Sequence, residues 1–109
     1  MHGRNGEDGT IQGLFELAGL PYVGCGVLSS AVCMDKAVAN TLLDAAGVPR
    51  CEWTWASRRE CQADPAALAD RVSGKLGWPV FVKPANAGSS VGISKAANKE
   101  ELIRAMEVA

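Results

Sequence analysis

Apolar residues recur at two spacings along the 109-residue chain, and the switches between them mark out its elements. Ile11, Leu14, Phe15 and Ala18 fall at helical spacing, and Gly19 with Pro21 stops that helix. Pro21 to Gly24 reads as a short apolar strand, placed as the last strand of a βα unit would be. Ser29 and Ser30 can cap a short helix over Ala31 to Met34. Asp35 can cap the next, which carries Val38, Leu42 and Leu43 and ends at Gly47. Cys51, Trp53 and Trp55 alternate with Glu52 and Thr54, the pattern of a half-buried strand whose tryptophans are core rather than base-stacking platforms. Arg58 to Asp64 is a polar connection. Pro65 then opens a helix with Leu68, Ala69, Val72 and Leu76 on one face and Gly77 at its end. Asn98, with Glu101 three residues on, opens the last helix around Leu102, Ile103 and Met106.

Between the last two helices lies V-F-V-K-P-A-N-A-G-S-S-V-G-I-S-K, Val80 to Lys95. An apolar run ends at Lys83 and Pro84, and a turn-rich loop, Asn86 to Gly92, follows. Val91 and Ile93 then alternate with polar Ser94 and Lys95, so the stretch reads as strand, flexible loop, strand. After Ser30 the order is therefore α-α-β-α-β-β-α, an α+β module rather than a strict βαβ winding. The loop has the chemistry of a phosphate cradle. Glycines let backbone N–H groups turn toward an anion, Ser89 and Ser90 add hydroxyls, and Lys83 adds charge at the mouth. A Walker A loop is absent, and a dinucleotide fingerprint would need a helix after the loop, not a strand. Taken alone, the composition favours a plain hairpin with a Gly/Ser turn and a surface lysine.

Composition narrows the picture mainly by exclusion. The formal net charge is −1, from 11 basic and 12 acidic side chains, so no basic excess marks a nucleic-acid surface. No apolar run is long enough to cross a bilayer, and the polar, Gly-rich N-terminus has no signal-peptide pattern. Cys25, Cys33, Cys51 and Cys61 form no C-x-x-C pair, and His2 is the only histidine, so a zinc site is not indicated. Cys33 and Cys51 sit in apolar patterns and read as small buried hydrophobes in a reduced, cytoplasmic compartment.

Three stretches together carry a resemblance: H-G-R-N-G-E-D-G-T-I-Q-G at His2 to Gly13, C-M-D-K at Cys33 to Lys36, and the glycine-rich hairpin from Phe81 to Lys95. In this order and approximate spacing they resemble the D-alanine–D-alanine ligases of the ATP-grasp superfamily, essentially from end to end of the chain. The resemblance implies an α+β, ATP-grasp fold fragment. Residues 1–28 would be the end of an N-terminal substrate-side α/β domain, and residues 29–109 the first, small half of the ATP-grasp domain. It implies an ATP-dependent reaction in peptidoglycan synthesis, in which the carboxylate of one D-alanine is phosphorylated and the amine of a second attacks the acyl phosphate. The parent enzyme would be a cytoplasmic homodimer acting on small molecules, with no nucleic acid or membrane partner.

Site roles follow by the same resemblance. Lys83 would contact the ATP phosphates and purine edge, and Lys36 the α- and β-phosphates. Two separated lysines and Mg2+ would hold the triphosphate from three sides. Ser89, Ser90, Val91 and Gly92 would close on the phosphates, with Ser89 also positioning the first D-alanine. His2 would lie near the reacting carboxylate and Glu7 in the supporting hydrogen-bond network. Asp8 could be only a helix-start charge. A nucleophilic serine lacks a base, and His2, Glu7 and Asp8 do not point to a common metal.

The acid for the first substrate's amine is expected upstream of His2. The second substrate's arginine and the magnesium ligands are expected downstream of Ala109. The chain is thus expected to be an internal fragment that does not turn over alone. Ligases making D-alanyl-D-serine or D-alanyl-D-lactate, another ATP-grasp branch, and a non-catalytic nucleotide-binding module are the rival readings. The H-G-x-x-G-E-D-G loop is expected only in the D-alanine branch.

Overall fold

In the computed structural model, which describes residues 2–109, six helices and one two-stranded sheet follow the order α1 (Thr10–Ala18), α2 (Val27–Met34), α3 (Lys36–Ala45), α4 (Arg58–Ala63), α5 (Pro65–Leu76), β1 (Val80–Val82), β2 (Ser94–Ala96) and α6 (Lys99–Val108). The α+β class stands. The chain divides into two units. One comprises Met1–Pro49 with Ala85–Val91, the other Arg50–Pro84 with Gly92–Ala109.

The second unit is built around an apolar core. The β1 and β2 strands pair antiparallel in the register Val80↔Ala96, Phe81↔Lys95 and Val82↔Ser94. Leu68, Ala69 and Val72 of α5, Val80 of β1, Ala96 of β2 and Leu102 of α6 are buried together. Those four helical positions are among the ones that periodicity placed on the inner faces. Their burial follows from the hydrophobic effect acting on an amphipathic stripe. The helix starts are specified locally. Asp64 accepts from the Ala67 N–H, with Pro65 in the first turn of α5. Asn98 accepts from the Glu101 N–H at the start of α6.

Three expectations in this unit need correction. No strand forms over Cys51, Trp53 and Trp55, because the only ladder among the described residues joins β1 to β2 and leaves that segment without a partner. The tryptophans are accordingly not core: Trp55 is 61% exposed, and Trp53 is half-buried with the Arg50 guanidinium 4.8 Å from its ring centroid. The polar connection from Arg58 to Asp64 contains a helix. Ser57 and Glu60 form a capping box, each side chain accepting from the other's backbone N–H, which satisfies donors that would otherwise oppose a six-residue helix. Thirdly, β2 begins at Ser94 rather than at Val91, since Val91 and Gly92 are spent in the turn.

In the first unit, α1 ends at Gly19 and α3 begins at Asp35, as the spacing predicts. Beyond Ala45, Gly47 takes φ 68°, the left-handed conformation of a helix stop. Here too there are corrections. Pro21 to Gly24 is irregular backbone, again because no described strand lies beside it. The α2 helix begins at Val27, so Ser29 and Ser30 lie inside it and cap nothing. Ser30 is buried, and its hydroxyl donates to the Cys25 carbonyl at 3.4 Å. Cys33 of this unit is exposed, as is Cys51 of the other, so neither acts as a small core residue. No helix among the described residues is long and apolar enough to cross a membrane.

Candidate functional site

Three of the predicted site segments lie in the first unit: the loop before α1, the junction between α2 and α3, and the glycine-rich loop up to Val91. The loop before α1 is cross-linked by its own acids. Glu7 Oε2 accepts from the Gly3 N–H at 2.6 Å. Asp8 accepts from the Asn5 and Thr10 N–H groups at 2.9 and 3.0 Å. Hydrogen bonds from the Thr10 side chain and then the Asn5 amide hold the Asp8 carboxyl below the ordinary carboxylate range. Asp8 thus sits beside the start of α1 as a helix-start charge. Gly9 is the N-cap, at φ 93°, and an added Cβ would meet the Val27 carbonyl oxygen at 2.7 Å. His2 and Glu7 are exposed.

At the α2–α3 junction, Asp35 caps α3 by accepting from the Ala37 and Val38 N–H groups at 2.9 and 3.0 Å. Its other oxygen accepts from the Asn86 side-chain amide at 2.9 Å. The neighbouring Lys36 holds the same loop twice. Its backbone N–H donates to the Ala85 carbonyl at 3.0 Å, and its ammonium donates to the Ala87 carbonyl at 2.5 Å. C-M-D-K and the glycine-rich loop are therefore joined by three hydrogen bonds across 50 or so residues of sequence. Lys36 is half-buried there, and its ammonium has three donors, of which the Ala87 carbonyl takes one.

The loop tip is a tight turn, in which the Val91 N–H donates to the Gly88 carbonyl at 3.1 Å. Both central residues have left-handed φ, 52° at Ser89 and 61° at Ser90, which non-glycine residues adopt at a cost of about 1 kcal/mol or more each. The φ pattern matches a type I′ turn. Both serines are exposed. A Cβ built on Gly88 would lie 4.0 Å from Glu7 Oε2, so the acidic loop and the serine turn are neighbours within this unit. In the second unit, Gly92 has φ 71°, and a Cβ there would meet Pro84 Cγ at 2.8 Å. Lys83 follows β1 in that unit, exposed and without a hydrogen bond or ion pair to any described residue.

Sequence reasoning missed Asn86 and the second role of Asp35. Asp35 carried a capping signal. Nothing in one sequence links it to a carboxamide 51 positions away.

The family model described as D-ala D-ala ligase C-terminus matches residues 42–109, more than half of the chain, and that of the D-ala D-ala ligase N-terminus matches residues 1–25. The chain belongs to the D-alanine–D-alanine ligase family. Among its relatives, the D-alanine–D-alanine ligase of Acetivibrio thermocellus is 57% identical over 97% of this chain and 28% of its own length. That of Deinococcus radiodurans is 57% identical over 100% of this chain and 32% of its own. The chain thus spans about a third or less of the curated ligases it matches. Two solved structures superpose at a TM-score of 0.86. They are the D-alanine–D-alanine ligase from Coxiella burnetii, 40% identical over 98% of this chain and 31% of that one, and the VanG D-Ala:D-Ser ligase from Enterococcus faecalis, 47% identical over 99% and 30%.

Proposed function

We propose that this chain forms part of an ATP-dependent ligase that joins two D-alanines for peptidoglycan precursor synthesis. The observation that carries the reading is the junction of Lys36 with the glycine-rich loop, found in a chain of this family. In the reaction, the carboxylate oxygen of the first D-alanine takes the γ-phosphoryl group of ATP, releasing ADP. The amine of the second D-alanine then attacks the acyl phosphate, losing a proton and expelling phosphate.

The residues of this chain would bind and orient. Lys36 and Lys83 would neutralise phosphate oxygens, and the turn from Gly88 to Val91 with Gly92 would supply backbone and hydroxyl donors. Ser89, Glu7 and His2 would form one wall of the first D-alanine site. Among the described residues no group of three or more His, Cys, Asp or Glu is placed to hold a metal ion. In our reading the ligands of magnesium, which would neutralise phosphate charge, lie outside these 109 residues. The cytoplasmic location and homodimeric parent remain part of the same proposal, by likeness to the family.

The test is a chimera in which residues 1–109 replace the aligned third of the Deinococcus radiodurans ligase. D-alanine-dependent phosphate release from ATP at a rate comparable to that ligase is expected. A folded chimera that releases none would overturn the reading. The likeness to the VanG D-Ala:D-Ser ligase makes D-serine the second amino acid to assay.

A further inference from the structure

We propose that Asp35 and Asn86 are a pair of positioning residues. Together they fix the entry of the glycine-rich loop against the start of α3, and so hold the Lys36 ammonium on the loop. The inference rests on the ligase reading for its catalytic meaning but on hydrogen-bond geometry for its existence. An ionised Asp35 only accepts, so the group it meets on Asn86 must be the amide nitrogen, and the 2.9 Å contact is charge-assisted. One carboxylate thereby does two things. Oδ1 caps α3 through Ala37 and Val38, while Oδ2 holds Asn86.

What this controls lies next door on both strands of the contact. Lys36 is the first residue of α3, so its N–H has no carbonyl within the helix to bond. Its partner is the Ala85 carbonyl, the residue before Asn86, and its ammonium bonds the Ala87 carbonyl, the residue after. Asn86 is flanked by both Lys36 contacts and is the only one of the three loop residues that contributes a side chain. Releasing it would free the loop entry while leaving the helix cap intact. Lys36 would then face a loop of unfixed distance, and nucleotide would have to order it on binding.

Substitutions separate this role from capping. Serine and asparagine are both good N-caps. Serine is too short to reach Asn86. Asparagine reaches it, because the Asn86 carboxamide can rotate by half a turn and accept instead. The reporter is the amide exchange rate of Lys36 in the 109-residue chain, because that N–H is donated to the loop. Asp35→Ser and Asn86→Ala should each speed it about tenfold, as expected for one lost charge-assisted hydrogen bond. Asp35→Asn should leave it near the unsubstituted rate, and the double variant Asp35→Ser/Asn86→Ala should be no faster than either single one. Equal rates for Asp35→Ser and Asp35→Asn would overturn the proposal, as would additive effects in the double variant. In the chimera, Asn86→Ala should raise the KM for ATP more than it lowers kcat. An inactive chimera would refute the ligase reading, whereas the exchange data would still decide the pair.

Discussion

All the buried apolar side chains among the described residues lie in the second unit: Leu68, Ala69, Val72, Val80, Ala96, Leu102 and Ala105. The first unit buries none. Leu14, Leu17, Leu20, Val23, Val27 and Leu28 are all exposed there, Leu17 at 90%. The first unit's apolar packing is partial, with Phe15 against Tyr22 at 5.6 Å between ring centroids, and directed hydrogen bonds add to it: Glu7 and Asp8 within their loop, Asp35 at a helix start, and Lys36 on the glycine-rich loop. One unit is held by area removed from water, which is non-directional and large. The other depends more on contacts worth about 1 kcal/mol apiece, which are directional and easily exchanged for a ligand's. The segments matching the D-alanine and phosphate motifs are mostly in the second kind of structure, where a loop can reorganise at small cost.

The sharpest way to break this contrast is to cut into the core. Leu102 is 2% exposed, and Leu102→Ala should cost about 3 kcal/mol of unfolding free energy, read from denaturant midpoints. Leu17→Ala in the first unit should change stability by no more than about 0.5 kcal/mol. Next in size is a change whose functional effect exceeds its structural one. In the chimera, Lys36→Ala should weaken ATP binding by about 2 kcal/mol, roughly thirtyfold, while the loss of its one side-chain bond to the loop should cost about 1 kcal/mol of stability. Lys83→Ala should act in the same direction, and calorimetry showing unchanged ATP affinity for both variants would remove the phosphate-cradle reading.

Gly92→Ala comes third. It forces a side chain to φ 71° and against Pro84, and should cost about 1 to 2 kcal/mol in stability. Smallest is the capping box of α4, where Ser57→Ala should cost about 1 kcal/mol. That box also sets a pH dependence. Hydrogen bonds from the Ser57 backbone and then its side chain lower the Glu60 pKa in the folded state. The folded form therefore binds its proton less readily than the unfolded form. The stabilisation is present above the unfolded pKa and is lost as pH falls through the lower folded one. Ser57→Ala should flatten the acid limb of the stability curve, and an unchanged limb would assign it to other groups.

The same contrast explains what could be read in advance. Helix faces in the second unit were legible because burial imposes a period: Leu68, Ala69, Val72 and Leu102 lie where the spacing put them. The strands predicted at Pro21–Gly24 and Cys51–Trp55 do not form because alternation states only a preference, and a strand needs a partner that no segment among the described residues supplies. The segment from Arg58 was misread for the opposite reason, since a six-residue helix carried by one capping box has too little periodicity to see. In the first unit the family membership was legible through motif likeness. The contacts between its residues were not, because the Asp35–Asn86 bond spans 51 positions and leaves no local trace.

Residue-resolved amide exchange on the 109-residue chain, with and without ATP, tests the central claim most directly. That claim is that the site loop is held by exchangeable hydrogen bonds and not by a core. The account predicts slow exchange in α5 and α6, and much faster exchange at Lys36 and from Asn86 to Val91 without nucleotide. Adding ATP should slow the second group and leave the first unchanged. Lys36 and Val91 amides already as protected as those of α5 in the absence of ATP, with no response to it, would contradict the account.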